Sequence, residues 1–410
     1  MFNYGVNYFR ADFHLHTRKD KEFTYSGEEN SFVREHVSAL IQAGVQIGVI
    51  TNHNKFDQEE YKAIRRVARK EEIFVLPGVE LTVKEGANGV HTLIIFDPDE
   101  WLSDGNNHFL TSAFATIPNP ESRNTKCTFD LKNTLETLDA YGRDYFVVFA
   151  HVDQNSGLLS ECKGGLLESL AGLATFKKRV LGLQKSRSFE NLRQFDRCFG
   201  YTPVLVEGSD PKSLSDIGKG DKKTYLKIGE YSYSAIKFAL QDHDSRVKAD
   251  IPEYKHGYIE SISFQGGKFD GQIINLSSEL NTLIGIKGSG KSSVLEAIRY
   301  ILDMPVQTDK EYKESLVKNV FGSGGKATLS VVDKFGKKYS TSRILGERIT
   351  VLDEHGEDLN ITPLSIFDGV QYFGQKDLSS SADHESGLLE KLVSGRIGQN
   401  ATIAECKYSL

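Results

Sequence analysis

The chain has 410 residues, long enough for two or three domains, and its 39% hydrophobic and 26% charged residues are ordinary for a folded protein and exclude a disordered one. A formal net charge of -6 excludes a surface coated in basic residues, so a polyanion would have to be met by local patches. The four cysteines, Cys127, Cys162, Cys198 and Cys406, form no C-x-x-C pair, which argues against a disulfide framework and a thiolate zinc site. With no basic-then-apolar leader and no apolar run of membrane-spanning length, the expectation is a cytoplasmic protein without a membrane partner.

In chain order, the first predicted element is a strand in which Phe9, Ala11, Phe13 and Leu15 alternate with Arg10, Asp12, His14 and His16. Such a strand puts both imidazoles on one face, where two histidines at i and i+2 can share one metal or bridge two. Nitrogen and oxygen ligands then recur just after apolar runs. Gly48 to Thr51 leads to Asn52-His53, Ile73 to Leu76 leads to Glu80, Tyr145 to Ala150 leads to His151, and Val204 to Val206 leads to Glu207 and Asp210. In barrels of alternating strands and helices, chemistry gathers at the C-terminal rim of the sheet. One histidine or glutamate there is more often a satisfied polar group, but five strand ends converging on imidazole and carboxylate point to a metal cluster suited to Zn²⁺, Mn²⁺ or Fe, with Glu80 able to bridge ions.

Two basic segments come next. Lys177 to Arg197 carries Lys177, Lys178, Arg179, Lys185, Arg187, Arg193 and Arg197 interleaved with Phe189 and Phe195; a nucleic-acid groove is one reading, and a solvated helix face is the commoner one. Lys219, Lys222, Lys223 and Lys227 border the Asp210 strand end and are candidates for substrate phosphate. The charged, weakly patterned segment Gln241 to His256 reads as a domain boundary.

Beyond it, Tyr258 to Phe264, Gln272 to Leu276 and Asn281 to Ile284 read as strands, and Ser292 to Leu302 repeats apolar residues at helical spacing. Between the last two lies Gly285-Ile286-Lys287-Gly288-Ser289-Gly290-Lys291-Ser292, which matches the phosphate-loop pattern GxxxxGK[ST] in the strand, loop, helix order that the pattern needs. Gly285, Gly288 and Gly290 let backbone N–H groups turn inward, Lys291 reaches the β- and γ-phosphates, and Ser292 ligates Mg²⁺, with Ser289 and Ser293 beside them. The expected cofactor of this part is therefore ATP with Mg²⁺. Leu329 to Asp333 is followed by Lys334 and reads as a hairpin strand with a turn at Asp333 to Gly336, not as a Walker B element.

The series His14-Leu15-His16-Thr17, Thr51-Asn52-His53-Asn54, Gly78-Val79-Glu80, Ala150-His151 and Gly208-Ser209-Asp210 resembles the motifs of the polymerase and histidinol phosphatase (PHP) superfamily. From Tyr258 onward, the phosphate loop and Gly374-Gln375, which looks like a Q-loop, resemble the ATPase heads of SMC and ABC proteins. The joined order resembles the TrlF-like PHP-ATPases, a group that includes the Ppl anti-phage defence proteins. The resemblance implies an α/β chain, with an N-terminal PHP-type distorted (β/α)7 barrel over residues 1–247, a linker over 248–257 and an SMC/ABC-like P-loop ATPase lobe over 258–410. It implies a hydrolase with two or three divalent ions held by His14, His16, His53, Glu80, His91, His151 and Asp210, and one more ligand soon after the HxH pair, Glu22 by spacing with Asp20 next. Glu80 and Asp210 would carry catalysis, with Lys212 beside them as this chain's own candidate, Gln375 would join the ATP site, the substrate would be nucleic acid, DNA first, and the ATPase heads would assemble a homo-oligomer. As the chain stops soon after the Q-loop, where SMC-like proteins send out a coiled coil, the same resemblance implies a longer natural protein.

Two departures stand out. Asn52 replaces the family's aspartate but keeps an acceptor oxygen, and the family's Asp-x-His reads Asp210-Pro211-Lys212. A protonated lysine offers no lone pair and repels a cation, so one metal position is weakened or replaced by the ammonium itself. The leading expectation is an ATP-controlled nuclease in defence; the alternative is an ATP-gated sensor or scaffold with a degenerate PHP domain.

Overall fold

The computed structural model describes residue 2 and residues 5–374, apart from 104, 123–124, 185–187, 221, 307 and 368. Gln375 and Cys406 lie outside the described residues, as do Lys185 and Arg187. The chain divides into two compact units, one of Val6–Pro252 and one running from Glu253.

The first unit is built on a nine-stranded sheet. Its strands are β1 (Asn7–Leu15), β2 (Ile47–Ile50), β3 (Phe74–Val83), β4 (Val90–Phe96), β5 (Tyr145–Phe149), β6 (Val180–Gln184), β7 (Val204–Val206), β8 (Tyr225–Ile228) and β9 (Val247–Lys248). The first seven lie side by side in chain order, and β8 and β9 follow on the far side of β1. Helices fill the crossovers: Phe32–Ala43 stops where Gly44 takes φ 68°, and Gln58–Lys70 starts where the Asp57 side chain accepts from the Glu60 N–H. With helices outside and side chains inside, β2, β3 and β5 are buried along their whole length. A buried Phe or Leu here contributes about 1.5–3 kcal/mol relative to exposure.

The free edge of β1 closes the sheet. Its first half pairs antiparallel with β8, Asn7 opposite Ile228. Its second half meets the chain after β7: the Phe13 N–H donates to the Glu207 carbonyl at 3.0 Å and the Asp210 N–H to the His14 carbonyl at 2.9 Å. Arg10 locks this seam, its Nε 3.1 Å and its Nη2 2.5 Å from the two Glu207 carboxylate oxygens, with Nη2 also donating to the Gly218 carbonyl. The result is a nearly closed α/β barrel.

Strand direction decides which ends share a rim. β1, β2 and β3 are mutually parallel, as are β5, β6 and β7, while β4 runs antiparallel to both β3 and β5. Of the first seven strands, six therefore end at one rim, and β4 alone begins there.

The second unit holds an antiparallel sheet in the order β11 (Ile273–Asn275), β10 (Tyr258–Gln265), β12 (Lys326–Val332), β13 (Lys338–Ile344) and β14 (Ile349–Leu352). Helices Lys291–Ile301 and Lys310–Phe321 complete a core that includes Ile262, Phe264, Ala297, Ile301, Val320 and Leu329. The expected hairpin forms, with Asp333 Oδ1 accepting from the Phe335 and Lys337 N–H groups, which commits this aspartate to the turn. The strand expected at Asn281 to Ile284 does not form. A strand exists only with a ladder partner, and no described segment pairs with this one; Ile284 stands 90% exposed.

Candidate metal centre

The rim where six strands end gathers the predicted ligands. His14 lies near the end of β1 and His16 just past it, His53 follows β2, Glu80 sits within β3, His151 follows β5 and Asp210 follows β7. His91 is the second residue of β4, and the reversal of that strand is what brings it to the same rim, opposite Thr82 of β3. Four residues at this rim take positive φ without being glycine: Asn54 at 50°, His151 at 28°, Ser156 at 61° and Asp210 at 49°. Backbone strain of this kind persists where surrounding structure over-determines it, commonly at functional sites.

Glu80 is the hub. Its Oε2 is 2.8 Å from His14 Nε2, 3.0 Å from His53 Nε2 and 3.5 Å from His16 Nε2. Its Oε1 is 2.7 Å from His91 Nδ1 and 3.8 Å from His151 Nε2. Asp210 Oδ1 lies 3.0 Å from His16 Nε2 and 3.8 Å from His14 Nε2. Three overlapping trios result, His14/His16/Asp210, His16/His53/Glu80 and Glu80/His91/His151, each with donor atoms within 4.8 Å of one another. One carboxylate thus faces two imidazole sets with its two oxygens, the arrangement of a bridging ligand.

A further layer fixes the rings. Gln184, at the end of β6, places Oε1 2.8 Å from His14 Nδ1 and donates its Nε2 to the Gly208 carbonyl, so the amide orientation is set and His14 turns Nε2 inward. Gly208 permits this approach, since a Cβ there would stand 2.4 Å from Gln184 Nε2 and 2.7 Å from His14 Cβ. Asp20 does the same for His53, with Oδ2 2.9 Å from its Nδ1 while accepting the His53 N–H; the same oxygen lies 3.2 Å from His16 Nδ1, off hydrogen-bond geometry. Of the two acids proposed to follow the HxH pair, Asp20 therefore sits behind the imidazoles, and Glu22 Oε2 is 2.7 Å from Lys212 Nζ. Neither belongs to the three trios. Asn52 bonds Thr17 through both its amide atoms.

The donor chemistry fits divalent cations. Inward-turned imidazole nitrogens face carboxylate oxygens, and two acceptors face each other favourably only with positive charge between them. Burial works against charge on His14 and His53, yet Glu80, with Asp210 for His14 and Asp20 for His53, outweighs it: His14 is raised and His53 is pushed up to about 11. Burial likewise opposes ionisation of Glu80, which His14, His53 and His91 nonetheless hold well below the usual carboxylate range. On the other side, burial, with His91 and His14, pushes His151 down to about 4 despite Glu80, leaving a neutral ring. Glu80 Oε1 and His151 Nδ1 are buried without a hydrogen bond, the His91 contact lying off hydrogen-bond geometry. Lys212 is raised above its usual value because Asp210 and Glu22 outweigh its burial.

The cluster floors a cavity of about 840 Å³. Its wall beyond the ligands is polar, including Lys21, Asn54, Ser122, Gln154, Asn155 and Lys212, and among the described residues it has no aromatic side chain and no Leu, Ile or Val. Lys219, Lys222, Lys223 and Lys227 are not among the cavity residues. Lys177 and Lys178 are exposed on the short helix entering β6 from its N-terminal end, the opposite rim, and Arg179 is buried against Asp139 and Asp144. Glu207, read in sequence beside the ligands, is committed to Arg10.

In the second unit, Gly288 and Gly290 take φ 83° and 97°, and Gly290 precedes the helix that begins at Lys291. A Cβ at Gly290 would stand 2.6 Å from Phe269. Lys291 Nζ folds back onto the loop, 2.7 Å from the Gly285 carbonyl, 2.8 Å from that of Ile286 and 3.3 Å from Ser289 Oγ. Ser292 and Ser293 open the helix at partial exposure.

Residues 263–392 match the family model described as an AAA domain, so the second unit carries an AAA-type, ATPase-like domain. No curated protein matches the chain. Among solved structures, the chain is similar to a two-domain protein containing a predicted PHP-like metal-dependent phosphoesterase from Bacteroides vulgatus ATCC 8482, at 15% identity over 69% of this chain and 89% of that one, with a TM-score of 0.40. It is also similar to the lesion-specific endonuclease PfuEndoQ from Pyrococcus furiosus, at 12% identity over 76% of this chain and 83% of that one, with a TM-score of 0.43.

Proposed function

We propose that the barrel is a metal-dependent phosphoesterase acting as a nuclease, with DNA as the first candidate substrate, and that the second unit binds ATP with Mg²⁺ and controls it. The observation that carries this reading is Glu80, whose two oxygens face two separate imidazole sets. His14, His16, His53 and Asp210 would hold one ion on the Oε2 side, and His91 and His151 a second on the Oε1 side. Ions bound there would supply Lewis acidity to a phosphoryl oxygen and a nucleophilic water at neutral pH. Asp20 and Gln184 keep the rings aimed, so little reorganisation is needed on binding. The polar, aromatic-free cavity wall suits phosphate and sugar hydroxyls better than a stacked base. Mn²⁺, Zn²⁺ and Fe all suit this mixed donor set.

For the second unit, support comes from the phosphate-loop sequence and the positive φ of Gly288 and Gly290. Assembly of ATPase heads into a homo-oligomer and a role in defence are what the family resemblance implies, and a cytoplasmic setting is the reading of the scattered cysteines. A second reading, an ATP-gated sensor with a degenerate barrel, is favoured by one observation, the Lys212 ammonium at the ligand Asp210.

The test compares wild type with His14→Ala/His16→Ala for metal content by plasma mass spectrometry and for hydrolysis of bis(p-nitrophenyl) phosphate with Mn²⁺. We expect bound metal and hydrolysis in the wild type and neither in the variant, with ATP binding unchanged. Metal binding without hydrolysis selects the sensor reading, and hydrolysis that survives in the variant overturns the site.

A further inference from the structure

Beside the imidazole cluster, two carboxylates face each other across one ammonium. Lys212 Nζ is 2.7 Å from Glu22 Oε2 and 2.9 Å from Asp210 Oδ1. The pair is held by the backbone as well as by charge. Asp210 takes φ 49° just before Pro211, and the Lys212 carbonyl accepts from the Thr24 N–H at 2.7 Å, next to the segment that carries Glu22. Glu22, His53, Asp210 and Lys212 all line the same cavity.

Without a cation, the Glu22 and Asp210 carboxylates would repel each other at the edge of an already acidic centre. With Lys212 between the two carboxylates, Glu22 joins none of the three converging donor groups, and in this chain a side chain supplies the positive charge between Glu22 and Asp210. We propose that Lys212 is a tethered cation in a metal position: it limits the centre to two divalent ions and presents its charge to a phosphate oxygen of the substrate. An ammonium has three N–H donors and no acceptor. Glu22 and Asp210 engage two, and with the side chain 43% exposed the third is available to the cavity. A lysine cannot activate water as a metal ion does, so its part is to hold phosphate, and the nucleophile belongs to the Glu80 side of the centre. The substrate half of this inference rests on the phosphoesterase reading; the ion count does not.

The experiment uses the full chain loaded with Mn²⁺ and compares wild type, Lys212→His and Lys212→Gln. Ions per chain are counted by plasma mass spectrometry after gel filtration, and inorganic phosphate binding to the loaded proteins is measured by calorimetry. We expect two ions in the wild type and in Lys212→Gln, and three in Lys212→His, where the imidazole restores a lone pair between Glu22 and Asp210. Phosphate affinity should fall about 10- to 100-fold in Lys212→Gln at unchanged ion content. Three ions in the wild type, or phosphate affinity unmoved in Lys212→Gln, overturns the proposal, and Lys212→Gln keeps it testable where Lys212→His fails to fold. An inactive protein that still counts two ions and gains a third in Lys212→His sinks the phosphoesterase reading and leaves the tethered cation standing.

Discussion

The barrel rim and the phosphate loop are built on opposite plans. At the rim, His14, His16, Asp20 and Glu80 are buried, the His14 and His53 rings are aimed by Gln184 and Asp20, and the strands behind are locked by Arg10 and Glu207. At the loop, Gly285, Ile286 and Gly288 are exposed, the lysine is spent on the loop's own carbonyls, and the approach from Asn281 makes no ladder. This contrast decides where binding energy goes. A ligand at the rim meets donors already in place, whereas a nucleotide at the loop must first draw Lys291 off Gly285 and Ile286 and order the backbone around itself.

The largest effect should come from Glu80→Gln, which removes the one charge shared by both imidazole sets. Metal per chain and phosphodiester hydrolysis should both fall to background while ATP affinity stays unchanged; ions retained at the wild-type count would break the claim that the rim depends on a single hub. Next, Glu207→Ala leaves Arg10 buried without its partner and should cost the barrel about 3–5 kcal/mol in urea unfolding. A change below about 1 kcal/mol would mean the seam is held by backbone pairing alone.

A smaller effect belongs to His36, fully buried behind His16, where burial pushes the ring down to about 4 against the opposing pull of the His16 carbonyl. The unfolded chain takes up this proton first, so the stability linked to His36 is present above pH 6.5 and is lost as pH falls from 6.5 toward about 4. That amounts to about 3 kcal/mol, and His36→Leu should flatten this part of the stability curve. Smallest is Lys291→Ala, which should weaken ATP binding about 10- to 100-fold and leave metal content at the rim untouched. A loss of metal in that variant would show that the two regions are not independent.

The rim was legible because its signals are local. Alternation fixed which side of β1 carries His14 and His16, and apolar runs marked where strands stop and polar chemistry starts. What local signals do not reveal acts across long sequence separations. Gln184 is a lone glutamine at a strand end, 170 residues from the ring it aims. Glu207 has the same strand-end signature as a ligand, but its partner Arg10 is 197 residues away, and no spacing rule connects them. Asn281 to Ile284 has the composition of a buried strand, and composition does not reveal that no neighbour pairs with it. The reversal of β4, which delivers His91, had only a faint signal in Gly86 and Gly89, whose φ values of 59° and 85° allow the tight return from β3.

The split edge of β1 has a consequence for how the protein is made. Both halves of that edge wait for chain from Glu207 to Ile228, so a ribosome adding about 5–20 residues per second exposes the first strand for on the order of ten seconds or more before its partners emerge. During that interval Phe9, Phe13, His14 and His16 are open to solvent, to chaperones and to any metal ion in reach. The nascent chain is therefore most vulnerable at β1, and a pause in translation just before Glu207 would prolong that exposure more than a pause anywhere after Ile228.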